Sequence, residues 1–162
     1  MTLLEFIESL NERKQYDLAL EFCDRTLAIW NEYANSHALE YTNTVVGTKH
    51  TVKSDILTRA LMVVKNELDI PKSQTHEIVL IRQELSDPIV ALQDLDWELP
   101  KPVEMSFYAI RNLIDRLDGQ ETTVFNEPQL FVVINQAIEA LMLINAINET
   151  EISKIFEKYA VK

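Results

Sequence analysis

A metal centre needs donors that converge, and the three histidines of this chain, His37, His50 and His76, stand far apart in sequence. His37 and Glu40 could share one helix face, but no His-Glu-x-x-His, no cysteine pair and no Glu-x-x-His repeat completes a ligand set. The imidazoles therefore read as surface or capping groups, and no metal is expected. Nucleophilic and nucleotide chemistry lack their usual frames as well. The only glycines are Gly47 and Gly119, which leaves no Gly-flanked serine, no phosphate-cradling loop and no dinucleotide fingerprint. Cys23 falls in an apolar stripe with no histidine motif beside it and reads as a core thiol. Carboxylates are so abundant that a pair of them carries no information. Glu139 is the exception, because it sits in the most apolar segment: buried there, it would have a raised pKa and could move a proton. On the narrow polar strip between Asn135 and Gln136, it would be an ordinary solvated acid. On balance the residues point away from catalysis, and no cofactor is expected.

Binding has a stronger signal. The chain carries 15 basic and 26 acidic residues, a net charge of −11, which repels nucleic acid and anionic membranes and favours a basic protein as partner. Acidity is concentrated between Glu84 and Glu98, where Glu84, Asp87, Asp94, Asp96 and Glu98 occur without a lysine or arginine among them, and Trp97 stands between two acids. An exposed indole ringed by negative charge suits an interface hot spot, with the field orienting encounter and the ring supplying desolvated contact. A tryptophan pinning an irregular loop onto the core is the competing role. A second base-free region runs from Leu117 to Ser153. With its small size, acidity and Asp94-Leu95-Asp96-Trp97-Glu98 segment, the chain resembles the helical immunity proteins with which bacteria neutralise toxin domains, many of them basic nucleases. That resemblance implies a stoichiometric inhibitor whose acids occupy positions where the toxin would meet phosphates. Glu84, Asp87, Asp94, Asp96, Trp97 and Glu98 are then the expected contacts.

The elements that must position these residues are expected to be helices. Two glycines among 162 residues, and five prolines at apparent segment boundaries, leave little call for positive-φ turns. The whole chain, residues 1–162, reads as one all-α domain of eight or nine helices packed around the segment Asn126 to Ile147, in which Leu130, Val133, Ile134, Ala137, Ile138, Leu141 and Ile144 share a face. About 22 residues at ~1.5 Å rise could span a bilayer, but Glu139 and three amides within the run argue against it.

Thr2 and Glu5 have the spacing of a capping box for a short first helix. Apolar periodicity predicts a second from Lys14 to Tyr33 with two stripes, Tyr16, Leu20, Cys23, Leu27 and Trp30 on one and Leu18, Phe22 and Ile29 on the other. The stretch from Tyr16 to Leu27 resembles the second helix of a tetratricopeptide unit. That likeness implies helical hairpin packing, and an adaptor using a groove between the N-terminal helices is the alternative function. The double stripe also allows a homodimer.

Further helices are expected from Ser36 to Val46 with Gly47 just past its end, from about Ser54 to Pro71, from Ser73, and again from a restart at Asp87-Pro88. Thr48 to Val52 reads as loop, as does Trp97 to Pro102. Beyond it, a helix runs from Val103 to Leu117, Asn126 or Glu127 starts the central one with Pro128 in its first turn, and Thr150 caps the last. A single cysteine, which cannot close an internal disulfide, and a start without a basic, apolar secretory pattern place the expected location in the cytoplasm.

Overall fold

The structure, a computed structural model, describes residues 1–70, 76–119 and 129–160. Seven helices are present among the described residues: α1 (Leu3–Ser9), α2 (Glu12–Ser36), α3 (Ile56–Asp69), α4 (Glu77–Gln93), α5 (Lys101–Leu117), α6 (Gln129–Leu143) and α7 (Glu149–Ala160). Between α2 and α3 lies a two-stranded antiparallel hairpin, β1 (Glu40–Thr42) and β2 (Lys49–Thr51), with Tyr41 opposite His50. Among the described residues the architecture is thus helical with one small sheet, and has seven helices where eight or nine were expected for the chain. The expected cap at Ser73, the stop at Pro71 and the start of α6 at residues 126–128 lie outside the described residues.

Helix α5 is the hub. It packs against α6, α2, α3 and α4, and its Val103, Phe107, Ala109, Ile110, Leu113 and Ile114 are all buried. Sequence reading gave that place to the α6 segment, whose Leu130, Val133, Ile134, Ala137 and Leu141 are indeed buried against α5 and α2. Its C-terminal end breaks away, however, and Met142, Leu143 and Ile144 are exposed. Mean apolarity was the misleading signal: α5 is less apolar overall but confines its apolar residues to one clean stripe, which neighbours can cover from several directions.

Both stripes of α2 turn inward from Tyr16 to Trp30, with Leu18, Phe22 and Ile29 buried and Leu27 partly so. Trp30 donates its indole N–H to the Ser54 carbonyl at 2.7 Å, which fixes the entry to α3 beside α2. Tyr159 of α7 donates to Glu21 of α2 at 2.6 Å and docks the last helix.

Local chemistry sets several boundaries. Thr2 and Glu5 form the expected reciprocal cap, at 3.2 and 2.7 Å. At α7 it is Asn148, not Thr150, that caps, exchanging bonds with Glu151 at 2.9 and 3.1 Å. Helix α4 runs unbroken through Pro88, where a restart was expected. Its stripe explains why: Ile78, Ile81, Leu85, Ile89 and Leu92 keep one phase across the proline, and the buried Pro88 ring adds to that face. An interior proline costs about 3 kcal/mol, which continuous burial of large side chains at ~1.5 to 3 kcal/mol each can offset. Helix α5 likewise begins at Lys101, with Pro102 in its first turn, so the irregular stretch ends earlier than expected.

Candidate functional site

The hairpin replaces a predicted helix and a predicted loop, and it creates the face on which the acidic stretch is displayed. Seven residues between positions 42 and 52 are β-branched: Thr42, Thr44, Val45, Val46, Thr48, Thr51 and Val52. Burial alternates along the strands, with Leu39, Tyr41 and Val52 inward and Glu40, Thr42 and Thr51 outward. The turn is tightly held. Asn43 accepts from the amides of Val45 and Val46 at 2.9 and 3.1 Å, and its own amide donates to the Thr48 carbonyl at 2.9 Å. Gly47 has φ +72°, so the left-handed residue expected there is present, in a hairpin turn rather than beyond a helix. Val45 and Val46 stand at its tip, 89% and 70% exposed.

Trp97 joins this hairpin to the core. It is 5% exposed and lies against Tyr41 in a stacked arrangement at 5.6 Å, with its edge toward Trp30 at 6.4 Å and Phe107 at 6.0 Å. The role of exposed anchor is therefore corrected: the indole pins the loop, as the competing reading had it. An aromatic ring beside three others gains more from their contact than from solvent.

Its acidic neighbours are placed differently. Asp94 ends α4, and the chain turns back through Leu95 at φ +62°, with the amides of Asp96 and Trp97 donating to the Ala91 carbonyl at 2.9 and 3.1 Å. Leu95 is 74% exposed in that strained position. Asp96 accepts the Thr44 hydroxyl proton at 2.8 Å, bringing the loop beside the hairpin tip. Asp87 and Asp94, seven residues apart on α4, share a face with the exposed Val90 between them. Asp87, Asp94 and Glu98 are exposed, and no lysine or arginine among the described residues pairs with them.

Glu84 belongs to another environment. It takes both guanidinium N–H groups of Arg59, which hold its carboxyl below the usual glutamate range although partial burial works against them. It is a strut between α3 and α4 rather than a free contact. Of the six expected contacts, the structure leaves Asp87, Asp94 and Glu98 exposed and Asp96 half-buried against the hairpin turn, buries Trp97 and pairs Glu84. Sequence reading missed Val45, Val46 and Leu95; the first two were assigned to a helix that does not form.

The remaining candidates have structural positions. Glu139 is exposed on the outer strip of α6, so the proton-transfer role is withdrawn. Cys23 is fully buried, and burial pushes its thiol far up. His37 stacks on Tyr33 at 4.0 Å, His50 stacks on Tyr41 at 5.1 Å, and His76 precedes α4 without a side-chain capping bond. Among the described residues no three His, Cys, Asp or Glu side chains are grouped as a metal site would need, and no helix is long and apolar enough to cross a membrane. Asp115 is buried between Arg82 and Arg111, each at 2.9 Å, and ties α4 to α5. No known family, curated protein or solved structure matches this chain.

Proposed function

We propose that this protein binds and neutralises a basic protein through the face formed by the hairpin tip, the end of α4 and the 94–98 loop. In its fullest form the reading is an immunity protein of a bacterial cytoplasm, holding a basic toxin domain, best a nuclease, in a stoichiometric complex without performing catalysis itself. One observation carries it: the Thr44–Asp96 bond ties the acidic 94–98 loop to a hairpin tip whose Val45 and Val46 are exposed, while Asp87, Asp94 and Glu98 have no cationic partner among the described residues. Asp17, Glu21, Asp24, Asp55 and Glu84 each face a cation of the same chain, whereas Asp87, Asp94 and Glu98 face none among the described residues and are left to meet a cation from outside. Unpaired acids around an apolar centre match the anatomy of an interface, with charge steering the approach and apolar contact retaining the complex. A toxin's phosphate-binding surface offers the complementary charge.

The adaptor alternative would have to use the exposed surface of the N-terminal helices, because most of the α2 stripe residues from Tyr16 to Trp30 are in the core. The deciding experiment pairs the protein with the product of the adjacent reading frame and measures association at low and high salt. The expected outcome is a one-to-one complex that forms more slowly as salt rises and weakens in the Asp94→Asn, Asp96→Asn, Glu98→Gln variant. Unchanged association in that variant overturns the assignment of the face.

A further inference from the structure

Beside this face, the hairpin and helices α3 and α4 enclose a cleft of about 330 Å³. Its apolar lining comes from Val52, Ile56 and Pro88, all buried, and Tyr41 and His50 add an aromatic wall. Two carboxylates reach the cleft in unlike states. Glu84 already holds Arg59 with both oxygens, whereas Asp87 is exposed and has no cationic partner among the described residues. The Tyr41 hydroxyl is held above the usual phenol range by burial and by the negative charges of Asp87 and Asp96, which places both acids within electrostatic reach of it.

A cleft whose lining combines buried apolar residues with an unpaired carboxylate and a tyrosine suits a long side chain with a cationic head. We propose that this cleft receives an arginine side chain of the basic partner, an assignment that rests on reading the adjoining face as an interface. The methylenes lie along Val52, Ile56 and Pro88, and the guanidinium donates to the Asp87 carboxylate and the Tyr41 oxygen. Arginine fits better than lysine for two reasons. Its planar fork can make two parallel bonds to one carboxylate, and it sheds water more readily than an ammonium in a half-apolar cleft. Lys53 on the exposed lip and Arg59 oppose a cation, but Glu84, Asp87 and Asp96 outnumber them, so the local balance stays negative.

The test is an NMR titration of the full chain with Nα-acetyl-arginine methylamide, run beside the corresponding lysine and norleucine compounds. Saturable shifts at Tyr41, His50 and Val52 are expected, with millimolar affinity for arginine, weaker binding of lysine and none of norleucine. Loss of one charge-assisted bond in Asp87→Asn should weaken arginine binding about tenfold. Glu139→Gln, exposed on α6 and away from both cleft and face, should leave it unchanged. Shifts scattered over the acidic surface, equal binding of lysine, or indifference to Asp87→Asn would each overturn the proposal. If the arginine compound fails while neutralising Asp94, Asp96 and Glu98 still releases the protein partner, the cleft assignment alone is lost. Arginine binding in a chain whose partner ignores those acids would instead remove the interface reading.

Discussion

An indole at the end of an acidic run can face solvent or core, and for Trp97 three rings within 6.4 Å decide it. Truncation would open a cavity beneath the hairpin and remove the stacking surface of Tyr41. Trp97→Ala is therefore expected to cost ~3–5 kcal/mol in urea unfolding, and Trp97→Phe much less, as is usual for large aromatic residues in a core. A cost under about 1 kcal/mol would mean that the ring is not part of the core. Glu84 makes a different prediction, in pH. Its bonds to Arg59 lower its folded-state pKa, so its contribution to stability is complete above the unfolded glutamate value of about 4.3 and disappears as pH falls through the lower folded value. The stability gap between the wild type and Glu84→Gln should then shrink as pH is taken from 6 down to 3. A gap that stays constant over that range would show that the carboxylate's charge is not what Arg59 uses.

Elements were legible wherever apolar spacing had one period, and illegible where another term outweighed it. The stripes of α1, α2, α3 and α5 and the capping box at Thr2 could be read directly. The hairpin could not, because Leu39, Thr42, Val45 and Val46 fit a helical spacing as well as they fit strands, and the crowding of β-branched residues from Thr42 to Val52 was the overlooked discriminator. Pro88 misled in the opposite direction: a local breaker signal lost to a stripe that continued through it. Half of the candidate face was consequently invisible, since charge marked the 84–98 stretch while the apolar tip that meets it lay in the misassigned segment. Two variants test that tip. Val45→Ser with Val46→Ser leaves the backbone bonds to Asn43 in place and should change stability by less than about 0.5 kcal/mol. Its effect should fall on the dissociation rate of the complex, raising it, with the association rate little altered. Leu95→Gly relieves a left-handed leucine and should stabilise the free protein by ~1 kcal/mol while weakening the complex, a combination expected only of an exposed residue kept for contact. Weaker stability in that variant would remove the argument from strain.

Across the whole molecule, a net charge of −11 could act anywhere, and the claim made for the hairpin face is that position matters more than total. Neutralising Asp94, Asp96 and Glu98 changes −11 to −8, and so does neutralising Glu8, Glu139 and Glu157, which are exposed on other helices. Both triple variants should remain folded: Asp96→Asn keeps an oxygen to accept from Thr44, and the other five side chains make no ion pair with a cation among the described residues. If the field merely keeps the protein soluble, the two variants will behave alike toward a basic partner. If it steers docking at this face, the first should associate about tenfold more slowly at low salt and lose much of its salt dependence, while the second should keep both properties of the wild type. Stopped-flow association at two ionic strengths separates the cases, because long-range attraction depends on net charge whereas orientation at the encounter depends on which acids remain. Equal slowing in the two variants would reduce the acidic stretch to a share of a diffuse field and leave the apolar tip without its guiding ring.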